Sequence, residues 1–254
     1  MTEQRIALVT GANKGIGREV ARQLAGRGMT VLLAARKPAA GRTAADELRT
    51  EGVEVHPIEL DVTDPDGIAA AVKGVGDAYG RLDVLVNNAA ITGAGSPPAE
   101  PDPARRVEPP SAADLDRVRE VYETNVFGVI AVTNAFLPLL RRSDAARIVN
   151  VSSGVGSLHA MTDPAGPLAG MPPSLAYPTS KAALNAVTAQ YAKEFRGSQL
   201  LINAADPGWT GTDLNGHAGP RSVAEGAAII VRLATLPADG PSGGFFNDDG
   251  VVPW

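Results

Sequence analysis

The chain contains no cysteine. That excludes disulfides, thiolate nucleophiles and cysteine-ligated zinc or iron–sulfur centres, and it suits a reducing cytoplasm. No apolar run approaches the ~20 residues that cross a bilayer. The start, with Glu3, Arg5 and only a four-residue apolar run, does not read as a signal peptide. Positive charge is in deficit: 23 Lys and Arg against 28 Asp and Glu leave −5, which favours solubility and speaks against a general nucleic-acid binder. Lysine is rare, 5 against 18 arginines, a balance typical of GC-rich bacterial genomes. The three histidines, His56, His159 and His217, show no ligand spacing, so no metal site is expected.

What is present is an ordinary globular composition, 44% apolar and 20% charged over 254 residues. A chain of this length buries roughly three-quarters of its unfolded surface and needs no covalent staple. Strand-like runs at 6–10, 30–35, 53–60, 83–87, 147–152, 200–205 and, more weakly, 244–247 alternate with helical patterns. Those lie at about 16–27, 42–51, 65–79, 112–141, 174–196 and 222–235. Runs such as Ile6-Ala7-Leu8-Val9 and Val84-Leu85-Val86 are apolar throughout, as strands covered on both faces require. The alternation predicts one α/β domain over 1–254: a Rossmann-type, doubly wound parallel sheet of about seven strands with helices on both faces. Two Pro- and Gly-rich insertions, at about 93–111 and 154–173, follow predicted strand ends, the side on which such sheets bind ligands.

After the first strand comes Thr10-Gly11-Ala12-Asn13-Lys14-Gly15-Ile16-Gly17, which opens the first helix. Glycine allows close backbone approach, and a helix N-terminus offers free N–H groups to a phosphate. This Thr-Gly-x-x-x-Gly-x-Gly pattern resembles the short-chain dehydrogenase/reductase family, particularly its carbonyl reductases. Other marks follow in order: Asp61-Val62, Asn87-Asn88-Ala89-Ala90 (the family's usual glycine replaced by Ala90), Asn125, Ser152-Ser153, Tyr177-Pro178-Thr179-Ser180-Lys181 and Pro207-Gly208-Trp209. The resemblance covers essentially the whole chain.

Tyr177 and Lys181, four apart, share one helix face. A phenol near its usual ~10 exchanges protons poorly at neutral pH, and an adjacent ammonium would lower that value. Of Ser152 and Ser153, strand alternation lets only one face the substrate; the resemblance favours Ser153, with its hydroxyl on the substrate oxygen. It also implies that Asn125 interrupts the helix bonding around it and holds a water that relays protons to Lys181. In the implied reaction, hydride passes between nicotinamide and a carbonyl carbon while Tyr177 gives or takes the proton on oxygen.

The resemblance implies cofactor contacts from Gly11, Asn13, Lys14, Gly15, Ile16 and Gly17 at the turn, and from Asp61, Val62, Asn88 and Ala89 at two strand ends. Tyr177 and Lys181 would reach the ribose, and Pro207, Gly208, Trp209, Thr210 and Thr212 the nicotinamide. A site that chooses NAD usually ends its second strand in an acid; here Ala35 stands there, followed by Arg36 and Lys37. Arg36 would meet the 2′-phosphate of NADP(H), and Lys14 resembles a basic residue of NADP-dependent members.

The expectation is therefore an NADP(H)-dependent oxidoreductase acting on a bulky, apolar carbonyl or alcohol. The alternatives are an epimerase or dehydratase using the same cofactor, or a non-catalytic nucleotide sensor. Resembling carbonyl reductases with a lengthened interval between serine and tyrosine are monomeric; 23 residues lie between Ser153 and Tyr177, so a monomer is expected.

Overall fold

The computed structural model describes residues 4–93 and 108–254; most of the first insertion, 94–107, lies outside them. One sheet runs through the domain in the order β3-β2-β1-β4-β5-β6-β7-β8. The strands are β1 (Ile6–Val9), β2 (Thr30–Ala35), β3 (His56–Glu59), β4 (Val84–Asn87), β5 (Arg147–Val151), β6 (Leu201–Ala205), β7 (Phe245–Asn247) and β8 (Gly250–Val251). All pairings are parallel except β7 with β8. The eighth strand exceeds the expected count. Asn247 Oδ1 accepts the N–H groups of Asp249 and Gly250 and turns the chain back on itself; two residues are too few to announce a strand by alternation. The outermost strand on the other side, β3, is shorter than expected and contains Pro57.

Alternation along the strands divides the core. Ala7, Val9, Val31 and Leu33 face one way, onto α1 (Gly15–Ala25), α2 (Pro38–Thr50) and α8 (Val223–Ala234). Ile6, Leu8, Leu32 and Leu85 face the other, onto α3 (Pro65–Tyr79), α5 (Gly128–Leu140) and the end of α7 (Ala176–Glu194). The expected long helix over 112–141 is α4 (Leu115–Tyr122), a π-helical turn at Glu123–Phe127 and α5. This 26-residue run is apolar enough by composition to cross a membrane, yet half of its most apolar window is buried, with contacts to α3, β4 and α7. The second insertion begins with a tight turn at Gly154–Gly156 and carries a short helix, α6 (Leu158–Thr162).

This order reverses direction between β1 and β4, the position at which a doubly wound sheet opens a crevice beyond its strand ends. A buried polar ladder lies just beneath. Asn87 Nδ2 donates to Asn150 Oδ1 (2.8 Å) and to Thr133 Oγ1 (3.1 Å), while Asn150 Nδ2 donates to Thr188 Oγ1 (2.9 Å). Sheet, α5 and α7 are thereby held in register where the site is built.

Candidate active site

The glycine-rich turn follows β1, and no side chain caps the N-terminus of α1. Its first N–H groups are thus left for a ligand. The backbone is packed too closely for side chains: a Cβ on Gly17 would lie 2.4 Å from Asn88 Nδ2, and one on Gly11, at φ +61°, 2.9 Å from Ala89 Cα. Asn88 braces the turn, donating from Nδ2 to the Thr10 carbonyl at 2.9 Å and the Gly11 carbonyl at 3.2 Å. Thr10 Oγ1 accepts the N–H groups of Asn88 and Ala89. This glycine cradle with an uncapped helix end fits a dinucleotide pyrophosphate.

The remaining expected cofactor residues follow the carboxyl ends of β1, β2, β3 and β6. Asp61 follows β3 and binds Thr63 through its N–H and hydroxyl; Val62 is buried against Gly128. Ala35 is buried at the end of β2, and Arg36 and Lys37 are exposed beside it. Asn13, Gly15 and Ile16 are half-buried in the turn. Lys14 does not stand free, because its ammonium lies 2.7 Å from Asp213, which also receives His217 at 2.8 Å. Pro207 is buried, Gly208 adopts φ +69°, Trp209 is 63% exposed, and Thr210 is buried with its hydroxyl donating to the Pro207 carbonyl. Thr212 caps the short turn at Asp213–Asn215.

At the reacting end, the Ser153 hydroxyl neighbours the Tyr177 phenol and acts to lower its pKa, and the Lys181 ammonium lies 5.5 Å from the centre of the Tyr177 ring. Ser152 points the other way. It is buried and donates to Asn185 Oδ1 at 2.6 Å. Asn185 Nδ2 in turn donates to the Gly156 carbonyl at 3.1 Å, so one residue ties both sides of the Ser153 turn to α7. Gly156 lies flat on that helix; a Cβ there would meet the Lys181 backbone at 2.8 Å.

The electrostatics differ from the expectation of a lowered phenol. Burial pushes the Tyr177 phenol up to about 12, with Ser153 opposing and Asp206 adding to the rise. Lys181 is 2% exposed, donates to the Val151 carbonyl at 2.7 Å, and is pulled by burial down to about 7. Spacing brings the two side chains together, but desolvation of both outweighs their mutual effect in the protein alone.

Asn125 is fully buried in the π-helical turn, where the helical bonding shifts as expected. Its side chain is spent on protein: it bonds both backbone groups of Ile91 and donates to Ser180 Oγ at 3.1 Å. Among the described residues no group of three His, Asp or Glu side chains converges as a metal site would need.

With this geometry, the model of the short chain dehydrogenase family matches residues 5–222. The chain belongs to that family. The short-chain dehydrogenase/reductase 1 of Saponaria officinalis is 36% identical, covering 100% of this chain and 97% of its own. A carbonyl reductase (NADPH) 1 of Sus scrofa is 34% identical over 98% of this chain and 94% of its own. The solved structure of salutaridine reductase from Papaver somniferum superposes with a TM-score of 0.80 at 33% identity, covering 96% of this chain and 100% of that one. Membership makes this an oxidoreductase of nicotinamide cofactors with a small-molecule substrate.

Sequence alone assigns no role to Ser180, which enters only within its motif, or to Asn185, Asp206, Pro253 and Trp254. Ser157 Oγ donates to the Pro253 carbonyl at 2.6 Å and the His159 N–H to the Trp254 carbonyl at 3.0 Å, while Trp254 stacks on Phe245 with centroids 5.7 Å apart. Asn185 could have been found, since it follows Lys181 by four and so shares its helix face.

Proposed function

We propose that this short-chain dehydrogenase is an NADP(H)-dependent carbonyl reductase that reduces a bulky, largely apolar ketone or aldehyde. The observation that carries the reading is the grouping of Ser153, Tyr177 and Lys181 at the sheet's carboxyl end, beside the cradle and uncapped helix of the glycine turn. The bound nicotinamide supplies the hydride. Ser153 orients the carbonyl oxygen, and Tyr177 donates the proton to it. Lys181, near 7, can return a proton to the site at neutral pH and would hold the cofactor ribose when that is bound. Asn125 acts one step back by fixing Ile91 and the π-helical turn.

NADP(H) is favoured by Ala35 with Arg36 next to it, and by the naming of the porcine relative for NADPH. An apolar substrate is favoured by the second insertion, where Leu158 (60% exposed), Met161 and Met171 (51%) offer uncovered apolar surface and methionine adapts to varied shapes. A cytoplasmic, bacterial setting accords with the cysteine-free, arginine-rich composition. Oxidation of NADPH in step with reduction of aromatic or cyclic ketones tests the reading. No consumption with any carbonyl, or a marked preference for small keto acids, would overturn it.

We take the protein to be a monomer, on the long interval between Ser153 and Tyr177. The alternative pairing face would be the α4–α5 and α7 surface, where Phe127 is 53% exposed beside a groove of about 400 Å³ lined by Val118, Tyr122 and Leu175. Light scattering at micromolar concentration should return the mass of one chain, and a stable tetramer would refute the assignment.

A further inference from the structure

We propose that Asp206 is a specificity-determining residue of this site, an anionic group that selects carbonyl substrates bearing an ammonium substituent. The proposal narrows the reductase reading, from an apolar carbonyl compound to one whose apolar body carries a single ammonium, and rests on that reading for the location of the substrate.

Asp206 follows β6 directly, and its position is fixed by backbone bonds on both sides. The Ala205 carbonyl accepts the Ser152 N–H at 2.8 Å, and the Asp206 N–H donates to the Phe246 carbonyl at 2.8 Å. The carboxylate therefore stands beside the Ser153–Gly154 turn. Oδ1 accepts the Gly208 N–H at 3.0 Å, which shapes the turn after Pro207. Oδ2 faces Gly154, where a Cβ would lie 3.0 Å from it. Residue 154 has no side chain to separate that oxygen from the Ser153 turn, and Oδ2 accepts no hydrogen bond among the described residues.

The nearby cations have other hydrogen-bond partners. The Arg221 side chain runs along Gly208, but its guanidinium is held by Asp248 and donates to the Glu225 carbonyl at 3.1 Å. Lys181 is anchored on the Val151 carbonyl at 2.7 Å. The field of Asp206 reaches the reacting centre, since it is one of the causes that raise the Tyr177 phenol. A carboxylate with one oxygen committed to Gly208 and the other free of hydrogen bonds among the described residues, beside the Ser153 turn, attracts a cationic substituent and repels an anionic one.

Asp206→Asn tests this cleanly, because the amide oxygen can still accept the Gly208 N–H and keep the turn while the charge is lost. Two near-isosteric ketones, meta-acetylphenyltrimethylammonium and meta-acetylbenzoate, are compared by kcat/KM with NADPH. Their binding to the NADP+-loaded protein is measured by calorimetry. The unmodified protein should favour the cation by about tenfold or more, the order of a single charge in a partly dry site. In Asp206→Asn that ratio should collapse towards one. Equal handling of the two ketones by the unmodified protein, a ratio that survives the substitution, or binding of neither would overturn the proposal. If the charge order appears in binding and vanishes in Asp206→Asn, but no NADPH is consumed, the assignment of Asp206 stands and the reductase reading fails.

Discussion

Asn125 holds Ile91 by both of its backbone groups: Oδ1 accepts the Ile91 N–H and Nδ2 donates to the Ile91 carbonyl, each at 2.9 Å. This two-point grip joins the chain just beyond β4 to the π-helical turn, and the same amide continues to Ser180 on the helix that bears Tyr177. Asn125→Ala leaves these buried groups without partners, at a cost of about 1–3 kcal/mol. Misplacement of the neighbouring strand end should lower kcat by about 10–100-fold. Thermal unfolding and turnover should fall together; an unchanged kcat in a folded protein would remove Asn125 from the positioning role.

Tyr177→Phe retains the ring and its packing while removing the phenol hydroxyl beside Ser153. A loss of about 10²–10⁴-fold in kcat is expected, the usual worth of general acid catalysis. NADPH affinity should barely change. Near-normal turnover would show that the proton comes from another group.

Arg36 and Lys14 should contribute unequally to NADPH binding. Arg36 is exposed with no ion-pair partner among the described residues, whereas Lys14 already shares its charge with Asp213. A hydrogen bond to a charged group contributes roughly 1.5–3 kcal/mol, so Arg36→Ala should weaken NADPH about ten- to a hundredfold and leave NADH nearly untouched. Lys14→Ala should cost less. Equal dissociation constants for the two nucleotides in the unmodified protein would defeat the NADP assignment.

Lys181 couples the site to folding stability. Its pKa falls from 10.5 in the unfolded chain to about 7 when buried, so between those limits the unfolded state carries a proton that the folded state has released. Stability should therefore climb as pH rises from about 7 towards 10.5 and stay level below 7 with respect to this group. A tenfold change in proton affinity is worth about 1.4 kcal/mol, so the climb is on the order of a few kcal/mol. In Lys181→Met the climb should flatten, and the variant should gain on its parent on the acid side of that window. Urea unfolding across the window reads both effects; parallel curves for the two proteins would contradict the burial of a titrating lysine.

Most of the fold was legible because the strands are apolar on both faces and glycines and prolines punctuate them. The glycine turn is one continuous stretch, Thr10–Gly17, so it could be read directly. What escaped was set by contacts between distant segments. Ser152 meets Asn185 across 33 residues, and Ser157 meets Pro253 across 96; no local pattern encodes either. The raised Tyr177 phenol escaped for a related reason. Spacing of four places an ammonium near the phenol, but burial decides the sign, and burial belongs to the assembled domain. The family pattern around Asn125 implies the interrupted helix bonding, while nothing local implies the Ile91 grip.

The two outermost strands have a bearing on how the molecule fails when heated. An unpaired strand border is a template for growth by addition of further strands, the usual route to aggregates. On one side β3 is four residues long and includes Pro57, which has no N–H to offer. On the other, the antiparallel return of β8 closes the sheet with only two residues, one of them glycine. Neither border can extend a ladder of any length. Copies of this protein that stick together on partial unfolding should therefore do so through helix surfaces such as that around Phe127, and the aggregate should be amorphous and not fibrillar.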